Sequence, residues 1–244
     1  MARVPLDPDA AFEQGSPAAG RRAPGPAGAR ARSPARRPPL PRAVEAWVAL
    51  PWRGRWQWLG RKAGELLRGG NRIHTPDRVV LECFVLPTFA ADPALRTLLF
   101  VGCGRYTRHY ASLFAPARER FRTLDIDPRR ARYGNAGHLV AALQDVTEHL
   151  APESVDAVVC NGVYGFGIYE REELAKALRA SCAVLRPGGR LVLGWNDVAA
   201  FAPFDPLEVA LGAGLARDPM LLGSWRVVTE TPTRHTFDSY IRAR

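Results

Sequence analysis

The chain has 244 residues, 47% of them apolar, and a formal net charge of +10, enough for one α/β domain with an appendage. No uncharged apolar run reaches the roughly 18 residues of a transmembrane helix, and Arg3, Asp7, Asp9 and Glu13 interrupt anything resembling a signal peptide. Cys83, Cys103, Cys160 and Cys182 lack CxxC spacing, so no metal site is expected and reduced thiols in a cytoplasmic protein are. The positive charge is local. Residues 1–42 hold eight Arg against three acids and residues 43–75 six Arg or Lys against two, leaving the remainder near neutral. A nucleic-acid partner is therefore not expected, because such binders carry the basic stripe on the recognition domain itself.

In chain order, residues 1–41 are rich in Pro, Ala, Gly and Arg and read as a disordered basic tail that cannot bury enough apolar surface to offset its chain entropy. Residues 42–94 read as a helical extension or lid. Trp47, Trp52, Trp56 and Trp58 alternate there with Arg53, Arg55, Arg61 and Lys62. Packing on the main domain is the favoured role, with peripheral contact to an anionic membrane as the alternative. Thr75-Pro76-Asp77 signals a helix start, with Thr75 as the cap, and the helix should end near Leu86, before Pro87.

From residue 95 to 244 strands and helices alternate, as in a parallel sheet covered on both faces. Strands are expected at Thr97–Val101, Phe121–Ile126, Leu139–Leu143, Val155–Cys160, Arg190–Trp195, Trp225–Glu230 and Thr236–Arg242. Helices are expected at Tyr106–Phe114, Glu170–Leu185 and Asp205–Leu211. The short Thr231–Arg234 link favours an antiparallel last pair, since parallel neighbours need a long crossover.

Three features at strand ends carry the chemistry. Val101-Gly102-Cys103-Gly104 takes a buried strand into a tight glycine turn, where bare backbone can approach a ligand. A dinucleotide fingerprint would place a third glycine at Thr107, so a nicotinamide-dependent oxidoreductase is disfavoured. Asp125 ends the second strand about 20 residues on, where a carboxylate can take both ribose hydroxyls. Asp145, at the end of the third strand, could accept from an adenine amino group.

Residues 97–196 resemble the class I S-adenosylmethionine-dependent methyltransferases in VGCG at 101–104, LDIDP at 124–128, QDV at 144–146, VDAVVCNGV at 155–163 and LRPGGRLVLGWN at 185–196. The resemblance implies a three-layer Rossmann-like fold with a seven-stranded, mostly parallel sheet of order 3-2-1-4-5-7-6 and an antiparallel last strand. It implies S-adenosylmethionine as cofactor, held near Gly102, Gly104, Tyr106, Asp125, Ile126, Asp145, Val146 and Asn161. A small-molecule acceptor, methylated at oxygen or nitrogen, would sit near Tyr164, Phe166, Trp195 and Asn196. His235 is the candidate general base, better placed than His109 or His138. Phe100 stands where the family usually has an acid, and Tyr106 where its third glycine is common. The contact to the methionine amino group must then come from a backbone carbonyl or Asp156. The alternative is a non-catalytic, methyltransferase-like binding module.

Overall fold

The computed structural model describes residues 75–243; the expected tail and Trp/Arg-rich segment lie outside them. Helix α1 (Pro76–Val80) runs through a π turn, Leu81–Val85, into α2 (Leu86–Ala91). Pro87 therefore does not end the helix as expected. The π turn carries the Leu86 N–H back to the Leu81 carbonyl, and this wider repeat precedes the proline, which sits in the first turn of α2 where a missing N–H costs little. Thr75 is extended, but its side chain makes no capping bond; Pro76 alone sets the helix entry.

Among the described residues, eight strands form one sheet: β1 (Leu98–Val101), β2 (Phe121–Asp125), β3 (Leu139–Val140), β4 (Val155–Asn161), β5 (Leu185–Asn196), β6 (Leu215–Arg217), β7 (Arg226–Val228) and β8 (His235–Arg242). The order is β3-β2-β1-β4-β5-β8-β6, with β7 also pairing β8. The first five pair in parallel, and β8 runs antiparallel to β5, β6 and β7. The last strand thus takes the expected place and direction. The strand count is eight rather than seven because the edge beyond β8 is divided: β6 covers its carboxyl half and β7 its amino half.

Helices cover both faces. On one, α1, α2 and a 3₁₀ run, Arg105–Phe114, bury Leu81, Val85, Leu86, Tyr110 and Phe114 against Leu98, Phe100 and Phe121. On the other, α3 (Arg171–Val184) and α4 (Leu207–Gly212) bury Leu174, Leu178, Val184 and Ala210 against Leu99, Val158, Leu191 and Leu193. The all-buried pattern of β1 follows: both its faces are covered, so every residue is apolar. None of the described helices is long and apolar enough to cross a membrane.

Candidate functional site

Three parallel strands end side by side, and their last residues or the next ones enclose a cavity of about 690 Å³, within the ordinary range for a drug-sized ligand. β1 supplies Val101, Gly102 and Cys103, β2 supplies Asp125 and Ile126, and β4 supplies Asn161 and Gly162. The site lies where neighbouring strands leave β1 in opposite directions, the switch point of an open α/β sheet.

Backbone geometry explains the glycines. Gly102 has φ +91, and a Cβ there would stand 2.2 Å from the Asn161 carbonyl oxygen. Any side chain would force β1 and β4 apart at the cavity floor. Asp125 is nearly buried; its Oδ2 accepts the Cys103 backbone N–H at 2.7 Å and its Oδ1 the Asp127 N–H at 2.9 Å. Those bonds fix the carboxylate at the strand end and tie it to the glycine loop. Arg130 closes the other side by donating to the Cys103 carbonyl at 2.8 Å. Ile126 is 70% exposed, an apolar side chain standing in the cavity wall. Asp127 lies farther out: it caps the next turn and pairs with exposed Arg129, whose hydrogen bonds hold its carboxyl down at about 2. Burial, seconded by Asp125, pushes the Cys103 thiol up to about 12, so no thiolate nucleophile exists here at neutral pH.

Of the anticipated cofactor residues, Gly102, Tyr106, Asp125, Ile126 and Asn161 line this one cavity; Gly104, Asp145 and Val146 do not. Asp145 lies on a 3₁₀ turn, Leu143–Glu148, and pairs with Lys176 of α3 at 3.2 Å, while Val146 is fully buried in the core. Their neighbour Gln144 lines the cavity instead. Gly104 underlies the Tyr106 ring, which a Cβ would meet at 2.6 Å. The Arg78 guanidinium lies over that ring, 3.5 Å from the centroid. Asp156 is at the wrong end of β4: it accepts from the Arg96 and Thr97 N–H groups and pairs with Arg186 at 2.6 Å.

Among the anticipated acceptor residues, Phe166 lines the cavity and stacks on Phe201 with centroids 5.2 Å apart. Tyr164, Trp195 and Asn196 are buried away from it. Tyr164 donates to the Phe204 carbonyl at 2.6 Å and Trp195 to Asp238 at 3.0 Å, so both are core groups with satisfied polar ends. His235 is 2% exposed, both ring nitrogens are engaged by Asn161 and Asn196, and burial lowers it to about 4. It does not line the cavity, and as placed it has no ring nitrogen left to take a proton from an acceptor. Lining residues outside the anticipated set include Arg130, Gln144 from the QDV motif, and Val163 and Gly167 from the glycine-rich loop after β4. The glycines at 162, 165 and 167 were the available signal for the β4 loop, as were paired arginines after Asp127-Pro128 for the rim.

Asn161 is seated over Gly194 of β5, where a Cβ would stand 2.0 Å from its Oδ1. Gly194→Ala is expected to expel the Asn161 amide and lower stability by about 1–3 kcal/mol through overpacking, read as a fall in melting temperature; an unchanged midpoint would show that the amide has another place to go.

Residues 99–193 match the family model described as a methyltransferase domain. No curated protein matches the sequence. Among solved structures, a TehB-like SAM-dependent methyltransferase from Corynebacterium glutamicum is 18% identical, over 77% of this chain and 97% of that one, with a TM-score of 0.48. The N-methyltransferase NodS from Bradyrhizobium japonicum is 17% identical, over 66% and 93%, at 0.49. A T. thermophilus 16S rRNA N2 G1207 methyltransferase is 20% identical, over 72% and 41%, at 0.43. The matched residues run from β1 into β5 and include the strand ends that build the cavity; over this stretch the chain is similar to a methyltransferase domain.

Proposed function

We propose that this protein binds S-adenosylmethionine in the cavity at the ends of β1, β2 and β4 and transfers its methyl group to a small-molecule oxygen or nitrogen. The observation that carries this reading is the convergence of Gly102, Asp125, Ile126 and Asn161 on one cavity. The residues present fit the cofactor. A nearly buried carboxylate at the strand end suits two vicinal ribose hydroxyls. An exposed isoleucine suits one face of an adenine, and Gln144 offers an amide to its edge. Gly162 and Gly167 line the cavity, and a Cβ at either would meet no protein atom within 4 Å, leaving room along the β4 loop for the rest of the ligand.

When bound, the cofactor supplies an electrophilic methyl carbon on a sulfonium. Gly102, Asp125, Ile126 and Gln144 would hold that cofactor, and it would give its methyl to an acceptor lone pair as the carbon–sulfur bond breaks and the acceptor's proton is released. The protein's part is to hold both partners in line and keep water out. The glycine loop and Asp125 fix one end of the cavity, and Phe166, braced by Phe201, walls the other. No side chain in the cavity needs to act as a base. Cys83, Cys103, Cys160 and Cys182 form no disulfide among the described residues, which suits a reducing, cytoplasmic compartment.

A second reading, a cofactor-binding module without catalysis, draws on Phe100 and Tyr106. Phe100 is fully buried between Tyr110 and Phe121 and offers the cavity no polar group, while the Tyr106 ring occupies part of the wall. Calorimetric titration with S-adenosylmethionine, S-adenosylhomocysteine and NAD tests both. Heat from the first two and none from NAD is expected. Heat from NAD alone would overturn the proposal, and binding without turnover across an acceptor panel would favour the second reading.

A further inference from the structure

We infer that His235 is a positioning residue for the cavity: by bridging Asn161 and Asn196 across the carboxyl ends of β4 and β5 from the amino end of β8, it fixes which atom of the Asn161 amide is left for a bound ligand. The inference rests on the cavity being the cofactor site.

His235 Nε2 lies 3.0 Å from Asn161 Oδ1, and Nδ1 lies 2.7 Å from Asn196 Oδ1. All three residues are at most 3% exposed, so water does not compete for these bonds. Asn161 alone of the three lines the cavity. Its seat is tight on both sides: the Gly102 backbone packs on its carbonyl, and Gly194 makes room for its amide. Small displacements of this side chain therefore have nowhere to dissipate.

The bridge is also informative about protons. A neutral imidazole carries one N–H and one lone pair, so it cannot donate to two amide oxygens. Either Nε2–H donates to the Asn161 oxygen and the Asn161 NH₂ is left over, or Nε2 accepts from that NH₂ and the oxygen is left over. Asn196 then takes the complementary role. Which tautomer the ring adopts decides whether Asn161 offers a donor or an acceptor. Among the described residues, the charged groups that act on the ring are both on α1: Asp77 favours protonation and Arg78 opposes it, and burial outweighs either. Phe237 closes the ring's flank edge-to-face at 4.8 Å. Burial favours the neutral imidazole, the form in which one ring nitrogen donates and the other accepts.

The test combines a binding cycle with a cofactor-independent readout. Dissociation constants for S-adenosylhomocysteine would be measured by calorimetry at pH 7.5 for the wild type, His235→Leu, His235→Gln, Asn161→Ala and the paired variants. We expect His235→Leu to weaken binding about tenfold, His235→Gln to recover most of that, and neither to matter in the Asn161→Ala background. Equal binding by His235→Leu and wild type, or independent effects of the two positions, would overturn the inference. If His235→Leu does not fold, the ring's protonation pattern in the free protein decides the role of His235. Nitrogen NMR of the ring in the free protein should show one protonated and one bare nitrogen at pH 7, with no titration above pH 5. Two protonated nitrogens, or two averaged by exchange, would equally refute it. If the wild type binds no S-adenosylhomocysteine, the cofactor reading fails, and the NMR signature alone decides the role of His235.

Discussion

Replacing Asp125 with Ala is expected to weaken S-adenosylhomocysteine binding by about 2–3 kcal/mol, roughly 30- to 150-fold in dissociation constant. The carboxylate is preset for the contact. Backbone N–H groups of Cys103 and Asp127 take one lone pair of each oxygen at 2.7 and 2.9 Å, which orients the group and leaves its remaining lone pairs for the two ribose hydroxyls. Little of the binding energy is then spent on ordering the side chain. Asp127→Ala is the matched control. That residue also carries a negative charge at the cavity rim, but its oxygens serve the following turn and exposed Arg129, so its loss should leave binding nearly unchanged. Asp125→Ala also strands the buried Cys103 N–H, so the melting temperature of the free variant should be followed alongside. Equal losses of affinity in the two variants would mean that the cavity attracts the ligand by net charge and that Asp125 makes no specific contact.

Much of this site was readable from local sequence because strand ends announce themselves. A continuous apolar run closing on Gly102 and another closing on Asp125 each have one place to go in a doubly covered parallel sheet. Their convergence follows from topology without knowledge of any side-chain contact. What local sequence could not show was direction. Gln144 and Asp145 differ by one residue, and on a 3₁₀ turn one residue rotates the side chain by about 120°, enough to exchange a cavity wall for a partnership with Lys176. Trp195, Asn196 and His235 sit at strand ends, as functional residues do. Which of them face a cavity depends on the pairings of His235 with Asn161 and Asn196 and of Trp195 with Asp238, 39 to 74 residues apart in sequence. The edge strand β6 is three residues long, too short to leave a period-two signal. Pro87 misled for a different reason: a proline ends a helix only when the turn before it is regular, and the π turn at Leu81–Val85 is not.

The largest loss of stability is expected at Arg226. Its guanidinium reaches from β7 to Asp238 at 2.5 and 2.8 Å and to Asp205 at 2.7 and 2.9 Å. Asp238 is fully buried, and its Oδ2 also accepts from Trp195 Nε1 at 3.0 Å and from the Tyr240 hydroxyl at 3.2 Å. One ion pair thus ties β5, β7, β8 and the entry to α4. Arg226→Met keeps the aliphatic stem but leaves a buried carboxylate without its cation, which should cost about 3–5 kcal/mol, on the order of 10 °C in melting temperature for a domain of this size. The effect carries a pH signature. Burial already holds the Asp238 carboxyl above its usual range, with Arg226 pulling against it, so removing the arginine raises it further. The folded variant then binds a proton more readily than its unfolded chain. Its stability is greatest below the ordinary carboxyl range and is lost as pH rises through the elevated value. The melting-temperature gap between Arg226→Met and wild type should therefore be narrower at pH 4.5 than at pH 7.5. Adding Asp238→Asn to Arg226→Met should recover part of the loss at pH 7.5, because the amide still accepts from Trp195 and carries no charge to bury. A gap independent of pH, with no recovery in the double variant, would show that Arg226 acts by packing on Trp195 and Trp225 and that Asp238 is not left ionised in the core.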